Sequence, residues 1–231
     1  DNLVTGVNGN EINARHHGIY LFDNYGGLYQ NFESNRITID GEKSGVGILA
    51  QELKTASSFN CTIVSNQIDV TNGKAGIEMI NLDKSTVSYN RINLFPGTIS
   101  TAPTSNGILV EAGQNNTVSC NDVLGFGDDD TLRNGYKVSQ SLGNKLLCNS
   151  SDSIGYAYLF EGAGCTGTLF KGNYIGKSYS GLYLNSAAII GQQPVIQLPL
   201  LAYHGNVWED SSRYSSGFGA VNLNEFPPIN L

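Results

Sequence analysis

Charged residues and long apolar segments are both scarce in this sequence. Only 14% of its 231 residues are charged, and 13 lysines and arginines face 20 aspartates and glutamates, so the formal net charge is −7. A surplus of negative charge argues against nucleic acid or an anionic membrane surface as a partner. No apolar run is long enough to span a membrane as a helix, which argues against membrane insertion. No segment keeps a sustained helical period, so a helical fold is excluded as well.

Asparagine at a regular spacing is what the sequence does contain. An apolar residue, two further residues, Asn, one residue and a second apolar residue recur eight times, and only Ser151 breaks the apolar rule at the last position. The eight asparagines are Asn10, Asn35, Asn66, Asn90, Asn121, Asn149, Asn173 and Asn206. Their seven intervals cover 196 residues, which gives a mean period of 28. A fixed period of this length predicts a solenoid.

A second marker, a glycine followed by alternating apolar residues, lies between successive asparagines. It occurs at Gly18, Gly47, Gly76, Gly107, Gly135, Gly155 and Gly181. Alternation over four residues indicates short strands, and stacking such coils at about 4.8 Å joins the strands into parallel sheets around one core. We expect the repeated Asn to sit at a bend, where it takes a left-handed conformation and where stacked amides bond to one another along the rod.

With these two markers the sequence resembles right-handed parallel β-helix repeat proteins, the group that includes pectate lyases, polygalacturonases, phage tailspikes and many bacterial surface proteins. The resemblance covers about residues 5–208. It implies an all-β fold, a right-handed parallel β-helix solenoid of about eight coils of about 28 residues. We expect residues 1–208 to form the repeats and residues 209–231 to form a C-terminal tail or the start of a following segment.

The last coil ends in Gly-Asn-Val-Trp (205–208), which resembles β-helix regions of large bacterial surface proteins. The resemblance implies a piece of a longer bacterial or phage protein, flanked by further domains of the parent chain. It also implies an extracellular or cell-surface location.

Four cysteines are present, and two of them follow the repeat. Cys120 and Cys148 each stand one residue before a repeated Asn and are 28 residues apart. We expect both to face inward on neighbouring coils. Two interpretations stay open, small core residues or a disulfide between coils. No spacing of Cys61, Cys120, Cys148 and Cys165 matches a zinc site.

Alternation in the glycine-marked strands predicts which side chains face outward. If the residues one and three after each glycine face inward, those two and four after it face outward. The first outward row is Tyr20, Leu49, Glu78, Leu109, Lys137, Ala157 and Tyr183, and the second is Phe22, Gln51, Ile80, Glu111, Ser139, Leu159 and Asn185. Carbohydrate sites of the resembled proteins lie along such a face, with aromatic rings stacking on sugars. The candidate substrate-binding residues are therefore Tyr20, Gln51, Tyr183 and Asn185.

Three charged residues of these rows are candidate catalytic groups. Glu78 and Glu111 fall on adjacent coils with an offset of two residues, which puts them roughly 8 Å apart. That separation is typical of an inverting glycosidase pair. Lys137, one coil further on, would act as a base or hold an acidic sugar. The alternative is a solvated, mixed face without a catalytic function.

The only acidic cluster in the sequence is Asp128, Asp129 and Asp130. Several carboxylate oxygens suit calcium, which is the one candidate ion, and no motif requires a cofactor. The alternative is a polar surface turn. The cluster resembles the paired aspartates of polygalacturonases, but the Asn-Thr-Asp, Gly-His-Gly and Arg-Ile-Lys motifs of that family are absent. The sequence therefore does not predict a pectin hydrolase.

The leading functional prediction is an extracellular module that binds polysaccharide or another surface protein. The alternative is a polysaccharide-degrading enzyme, either a glycoside hydrolase or a polysaccharide lyase. Such an enzyme would act on the outer face of one sheet through Glu78, Glu111 and Lys137.

Overall fold

The fold consists of short strands joined by tight bends. The computed structural model describes residues 6–23, 30–40, 44–52, 60–97, 105–126, 133–190, 206–208 and 218–222. In chain order the strands are β1 Gly6–Asn8, β2 Glu11–Ala14, β3 His17–Asp23, β4 Gln30–Glu33, β5 Arg36–Asp40, β6 Val46–Glu52, β7 Cys61–Val64, β8 Gln67–Thr71, β9 Ala75–Ile80, β10 Thr86–Ser88, β11 Arg91–Phe95, β12 Ser105–Glu111, β13 Thr117–Ser119, β14 Asp122–Gly125, β15 Arg133–Ser139, β16 Lys145–Leu147, β17 Ser150–Asp152, β18 Ile154–Glu161, β19 Leu169–Lys171, β20 Tyr174–Ile175, β21 Ser178–Asn185, β22 Val207–Trp208 and β23 Phe218–Asn222. One 3-10 turn, Ala163–Cys165, lies between β18 and β19.

The strands pair into three parallel sheets of seven, eight and eight strands. Sheet A contains β1, β4, β7, β10, β13, β16 and β19; sheet B contains β2, β5, β8, β11, β14, β17, β20 and β22; sheet C contains β3, β6, β9, β12, β15, β18, β21 and β23. The chain visits A, B and C in turn and then repeats that order one strand further along. The all-β parallel solenoid predicted from the repeat is therefore confirmed.

The apolar positions that flank each repeated asparagine line the core. Val87 and Ile92, on either side of Asn90, are fully buried. Strand pairing places Val87 between Ile63 and Val118, its counterparts in the coils before and after. One coil cannot bury its own apolar residues, so stacking of equivalent residues supplies the core.

The repeated asparagines form an unbroken ladder at the bend between sheets A and B. Each side-chain Nδ2 donates to the Oδ1 of the next asparagine at 2.9–3.1 Å, from Asn10 to Asn206. Asn90 Nδ2 also donates to the Ile63 carbonyl at 2.9 Å, and Asn90 Oδ1 accepts the Asn66 backbone N–H at 2.9 Å. Each buried amide is thus bonded through both its nitrogen and its oxygen. The predicted stacking of amides is confirmed.

From Asn10 to Asn173, the left-handed backbone conformation at this bend belongs to the residue before the repeated asparagine. These residues are Gly9, Ser34, Ser65, Tyr89, Cys120, Cys148 and Gly172, with φ between 53° and 68°. The prediction that the asparagine itself takes this conformation is therefore wrong. The ladder explains the difference, because the amide must point inward to reach its partners and the preceding residue is left on the outside of the bend.

The position of Cys120 and Cys148 is corrected for the same reason. Cys148 is exposed and Cys120 is half-buried, so neither is the inward-facing core residue that the repeat predicts. The two buried cysteines are Cys61 and Cys165, and all four side chains are free thiols. Burial raises the pKa of Cys61 to about 12, so this thiol stays protonated at neutral pH.

The marker glycines lie at the corner between sheets B and C, where a side chain would collide with the core. A Cβ on Gly47 would come within 2.5 Å of Ile68 Cγ2 and of the Gly76 carbonyl oxygen. A Cβ on Gly107 would lie 2.4 Å from Val123 Cγ1. In four successive coils the apolar residue two after the repeated Asn packs directly against a marker glycine: Ile37, Ile68, Ile92 and Val123. In these coils the two sequence signals describe one packing arrangement.

The coil that contains Ser151 departs from this arrangement. Strand pairing places Ala157, and not Gly155, beside Gly135. Tyr136 and Tyr158 stack in the core with their ring centroids 4.8 Å apart. The Tyr136 hydroxyl lies 2.9 Å from the Ser150 carbonyl oxygen, next to the small side chain of Ser151. Ser151 is smaller than the apolar residues at the same position in other coils, and the neighbouring core positions hold Tyr136 and Tyr158 where adjacent coils have Ile108 and Leu182.

A second polar ladder, which the sequence analysis did not predict, lies at the corner between sheets C and A. Ser85 Oγ accepts the Cys61 N–H at 3.0 Å, Asn116 Oδ1 accepts the Ser85 N–H at 2.9 Å, and Asn144 Oδ1 accepts the Asn116 N–H at 3.1 Å. Each of these positions lies five residues before a repeated asparagine. Because the residue type changes from coil to coil, the spacing alone gave no visible signal.

Candidate functional site

The outer face of sheet C carries most of the predicted site residues. Strand pairing aligns one row as Tyr20, Leu49, Glu78, Leu109, Lys137, Leu159 and Tyr183, and the next as Phe22, Gln51, Ile80, Glu111, Ser139, Glu161 and Asn185. Both rows agree with the predicted ones except on β18. There Ala157 is buried in the core, so its predicted outward position is wrong. The cause is Gly155, which lies two residues out of register with the other marker glycines.

Glu78 is buried although it belongs to an outward-facing row. Its residue is only 1% exposed, and its Oε1 forms an ion pair with Lys74 Nζ. Leu49 and Leu109 flank it on the neighbouring strands. These leucines belong to a small apolar cluster with Val46 and Ala75, separate from the main core. The predicted position of Glu78 is thus observed, whereas its enclosure and its lysine partner were not predicted.

Glu111 and Lys137 lie on the same face and are more accessible than Glu78. Glu111 is half-buried and sits beside Ile80, one strand across and two residues along from Glu78, which corresponds to about 8 Å by strand spacing. Lys137 Nζ lies 2.7 Å from Glu161 Oε2, and both side chains are partly exposed. The ammonium of Lys137 is therefore paired with a carboxylate that the sequence analysis did not consider. The catalytic roles of Glu78, Glu111 and Lys137 stay predictions.

Aromatic rings lie on the first strand of this face and again near its other end. Tyr20 is 53% exposed and Phe22 is 41% exposed, with ring centroids 6.1 Å apart. The His17 ring lies 5.5 Å from that of Tyr20. Six strands further along sheet C, the ring of Tyr183 packs edge-on against Tyr156 at 4.9 Å. The two aromatic groups are about 29 Å apart by strand spacing.

The tyrosines at the second end influence one another. Tyr156 contacts Tyr183 and also Tyr179, whose ring centroid is 6.2 Å away. Burial raises the pKa of Tyr156, and the neighbouring phenol groups raise it further. The Tyr156 hydroxyl therefore stays protonated at neutral pH and can act as a hydrogen-bond donor and acceptor. Sequence analysis identified only Tyr183, because Tyr156 and Tyr179 lie outside the two alternating rows.

Amide side chains occupy the remaining predicted binding positions. Gln51 and Asn185 are both half-buried in the second row. Asn185 Oδ1 accepts the Ser186 backbone N–H at 2.8 Å, which fixes the orientation of that amide. Gln51 and Asn185 as substrate contacts stay predictions, as do Tyr20 and Tyr183.

A buried amide pair near Glu78 was missed by the sequence analysis. Asn134 Nδ2 donates to Asn106 Oδ1 at 2.8 Å, and Asn106 Nδ2 donates to the Lys74 carbonyl at 3.1 Å. Each of these asparagines directly precedes a marker glycine, in Asn106-Gly107 and Asn134-Gly135. That repetition was the available signal. The pair ties the start of β12 to β15 and to the backbone of the residue that holds Glu78.

The predicted calcium ligands Asp128, Asp129 and Asp130 lie outside the described residues. Among the residues that the structure does describe, no group of three or more His, Cys, Asp or Glu side chains could hold a metal ion. Calcium at Asp128–Asp130 stays a prediction.

An open groove of about 400 Å³ lies away from the predicted site. It is lined by Asn13, Ala14, Arg15, Thr38 and Asp40. These residues belong to or follow β2 and β5 of sheet B, so the groove is on a different face from Glu78 and Glu111. Its concave shape alone does not indicate a ligand. The charged and aromatic residues predicted to form the site lie on sheet C instead.

Within the described ranges, no helix has the length and apolar character needed to cross a membrane.

Comparison with known proteins adds no family assignment. A scan against protein-family models found no match, and searches of curated proteins and of solved structures found none either.

Proposed function

We propose that this chain is an extracellular β-solenoid module of a larger bacterial or phage surface protein, and that it binds polysaccharide along the outer face of sheet C. The observation that carries the proposal is the pair of exposed rings, Tyr20 at 53% and Phe22 at 41%, on the first strand of a face that carries Tyr183 six strands further along. Exposed aromatic rings on a rigid sheet present apolar faces to a ligand at little entropic cost.

The chemistry of the face suits a sugar chain. The C–H face of a sugar ring packs on an aromatic ring, while its hydroxyl groups bond to amides, carboxylates and ammonium groups. Gln51, Glu111, Lys137 and Asn185 supply such groups between the two aromatic ends. A glycan lying across the strands would meet these groups in turn at intervals of one or two strands, about 5–10 Å.

Binding to a glycan array and affinity electrophoresis in soluble polysaccharides would test this proposal. For a glycan that binds the native chain, we expect Tyr20→Ala and Tyr183→Ala each to lower the affinity by about tenfold. The matched control is Tyr89→Ala, because Tyr89 is 65% exposed but lies at the bend between sheets A and B. The proposal would be contradicted if all three variants lost the same affinity for the glycan. It would also be contradicted if the chain bound another surface protein and no glycan.

A second candidate function is cleavage of a polysaccharide on the same face. It is favoured by Glu78, a carboxylate enclosed among Leu49 and Leu109 beside Lys74. Carboxyl groups in apolar sites are frequently used as acids in glycoside hydrolysis. Under this proposal Glu78 and Glu111 act as the carboxyl pair, and the chain is related to the pectate-lyase-like superfamily.

Release of reducing ends and of unsaturated products from a panel of polysaccharides, with and without calcium, separates the two candidates. An enzyme would release product, and Glu111→Gln would abolish the release while weakening binding far less than it weakens cleavage. A calcium requirement would support the Asp128–Asp130 prediction. Binding without product release would leave the module as the function.

A further inference from the structure

We propose that Cys120 and Cys148 form a reversible redox pair on the surface of the solenoid, in which oxidation links two neighbouring coils by a disulfide. The inference rests on the bend between sheets A and B and does not depend on the function proposed for sheet C.

Strand pairing brings the two cysteines together. Ser119, before Cys120, pairs with Leu147, before Cys148. The Cys120 N–H donates to the Leu147 carbonyl at 2.9 Å, and the asparagines that follow the cysteines are joined side chain to side chain at 3.0 Å. The two cysteines have nearly the same backbone conformation, with φ of 53° and 54°. Their Cα atoms are therefore about one strand spacing apart, ~4.8 Å, which lies within the range that disulfides span.

The position of the Cys148 sulfur indicates what kind of disulfide would form. A Cβ built on Gly172, in the next coil, would lie 3.4 Å from Cys148 Sγ, so this sulfur leans away from Cys120. Parallel Cα–Cβ bonds also place the two Cβ atoms about 4.8 Å apart, slightly more than the ~3.5–4.5 Å usual in disulfides. Bridging therefore needs a rotation about χ1 of Cys148 and a small approach of the two coils. A disulfide formed under such strain, and exposed to solvent, is readily reduced.

Accessibility restricts the reaction to this pair. Cys148 is exposed and Cys120 is half-buried, whereas Cys61 and Cys165 are buried. Burial also raises the pKa of both buried thiols, so their reactive thiolate forms are suppressed. An oxidant in solution therefore meets only Cys148 and Cys120.

The reaction is thiol–disulfide exchange with a small-molecule disulfide such as oxidised glutathione. The Cys148 thiolate attacks one sulfur of the oxidant, so its disulfide breaks, a mixed disulfide forms and one glutathione thiolate leaves. The Cys120 thiolate then attacks Cys148 Sγ and expels the second glutathione. The two cysteines together lose two electrons and two protons, and the oxidant becomes two molecules of glutathione thiol.

The experiment is thiol counting on the full chain before and after treatment with oxidised glutathione. We expect two reactive thiols in the native reduced protein and none after treatment, with two thiols, those of Cys61 and Cys165, appearing on unfolding. The intact mass should fall by two hydrogen atoms, peptide mapping should recover Cys120 joined to Cys148, and dithiothreitol should restore both thiols.

Single variants make the result decisive. Cys120→Ser should stop at the mixed disulfide, so that Cys148 retains one glutathione and the mass rises accordingly. Cys61→Ser serves as the control and should still form the bridge. Retention of glutathione on Cys148 in the native chain, or two thiols that survive treatment, would overturn the proposal.

Discussion

Replacing Asn90 by alanine should destabilise the solenoid more than the same change at Asn10, which lies at the exposed end of the ladder. Asn90 is 1% exposed and lies in the middle of the ladder. Its Nδ2 donates to Asn121 Oδ1, to the Ile63 carbonyl and to the Ser88 carbonyl at 2.9–3.0 Å. Its Oδ1 accepts both the backbone N–H and the Nδ2 of Asn66 at 2.9 Å. Alanine removes all five bonds at once.

The magnitude follows from the groups that lose their partner. The Asn66 backbone N–H bonds to Asn90 Oδ1, and the Ile63 carbonyl accepts from Asn90 Nδ2; both lie at the buried bend. A buried polar group left without a partner costs about 1–3 kcal/mol. Two such groups give an expected loss of about 2–6 kcal/mol, which is a large part of the stability of an ordinary domain.

Urea unfolding, followed by circular dichroism, measures this loss, and Asn10→Ala is the matched control. Asn10 is exposed and donates to Asn35 Oδ1 at 3.1 Å and to the Asn8 carbonyl at 3.0 Å. Its removal should cost less than about 1 kcal/mol, because water replaces its bonds. If Asn90→Ala costs no more than Asn10→Ala, the ladder does not hold the bend and the reasoning fails.

The remaining predictions concern packing, pH and the buried ion pair. Gly107→Ala should lose about 1–3 kcal/mol in the same urea assay, because its Cβ would lie 2.5 Å from the backbone oxygen of Gly135, which cannot rotate away. Burial raises the pKa of Tyr158 well above its usual value, so the unfolded chain ionises first and stability should fall as pH rises above about 10. Urea unfolding across that pH range should show a smaller loss in Tyr158→Phe, with the rest of the loss due to the buried Tyr136 and Cys61, whose pKa values are also raised. Lys74→Ala should lower the free energy of unfolding by about 1–3 kcal/mol, because it leaves the buried Glu78 carboxylate unpaired. Glu78→Leu, in contrast, should have a free energy of unfolding within about 1 kcal/mol of that of the native chain.

The fold was predictable because the sequence repeats the residues that the solenoid buries. Val87, Asn90 and Ile92 occur at fixed spacing since each fills the same place in every coil. The left-handed residue could not be found in this way. Gly9, Tyr89 and Cys120 all occupy that position, and no common residue type marks it, because its side chain lies outside the bend and is free to vary.

The positions of the candidate site residues on sheet C were predictable, but their surroundings were not. Alternation correctly placed Glu78, Glu111 and Lys137 on one face, because strand side chains alternate strictly. It could not show that Lys74 lies against Glu78, because that contact depends on side-chain conformation. It could not show that Lys137 pairs with Glu161 either, because that contact also depends on the register of β18. In β18 the position of the marker glycine is occupied by Ala157, so a register read from Gly155 is wrong by two residues.

The repeat determines which residue types occupy the inward and corner positions of each coil. It does not explain why a charged residue in an outward-facing row is buried. Glu78 is such a residue, because a carboxylate enclosed between Leu49 and Leu109 is held there only at the cost of its hydration. Replacing a buried ion pair by an apolar residue is often neutral or stabilising. If Glu78→Leu is as stable as the native chain and yet loses binding or cleavage of polysaccharide, the ion pair with Lys74 serves the outer face of sheet C and not the fold. If it unfolds easily and binds normally while folded, the pair is structural and the functional residues lie among Tyr20, Phe22 and Tyr183.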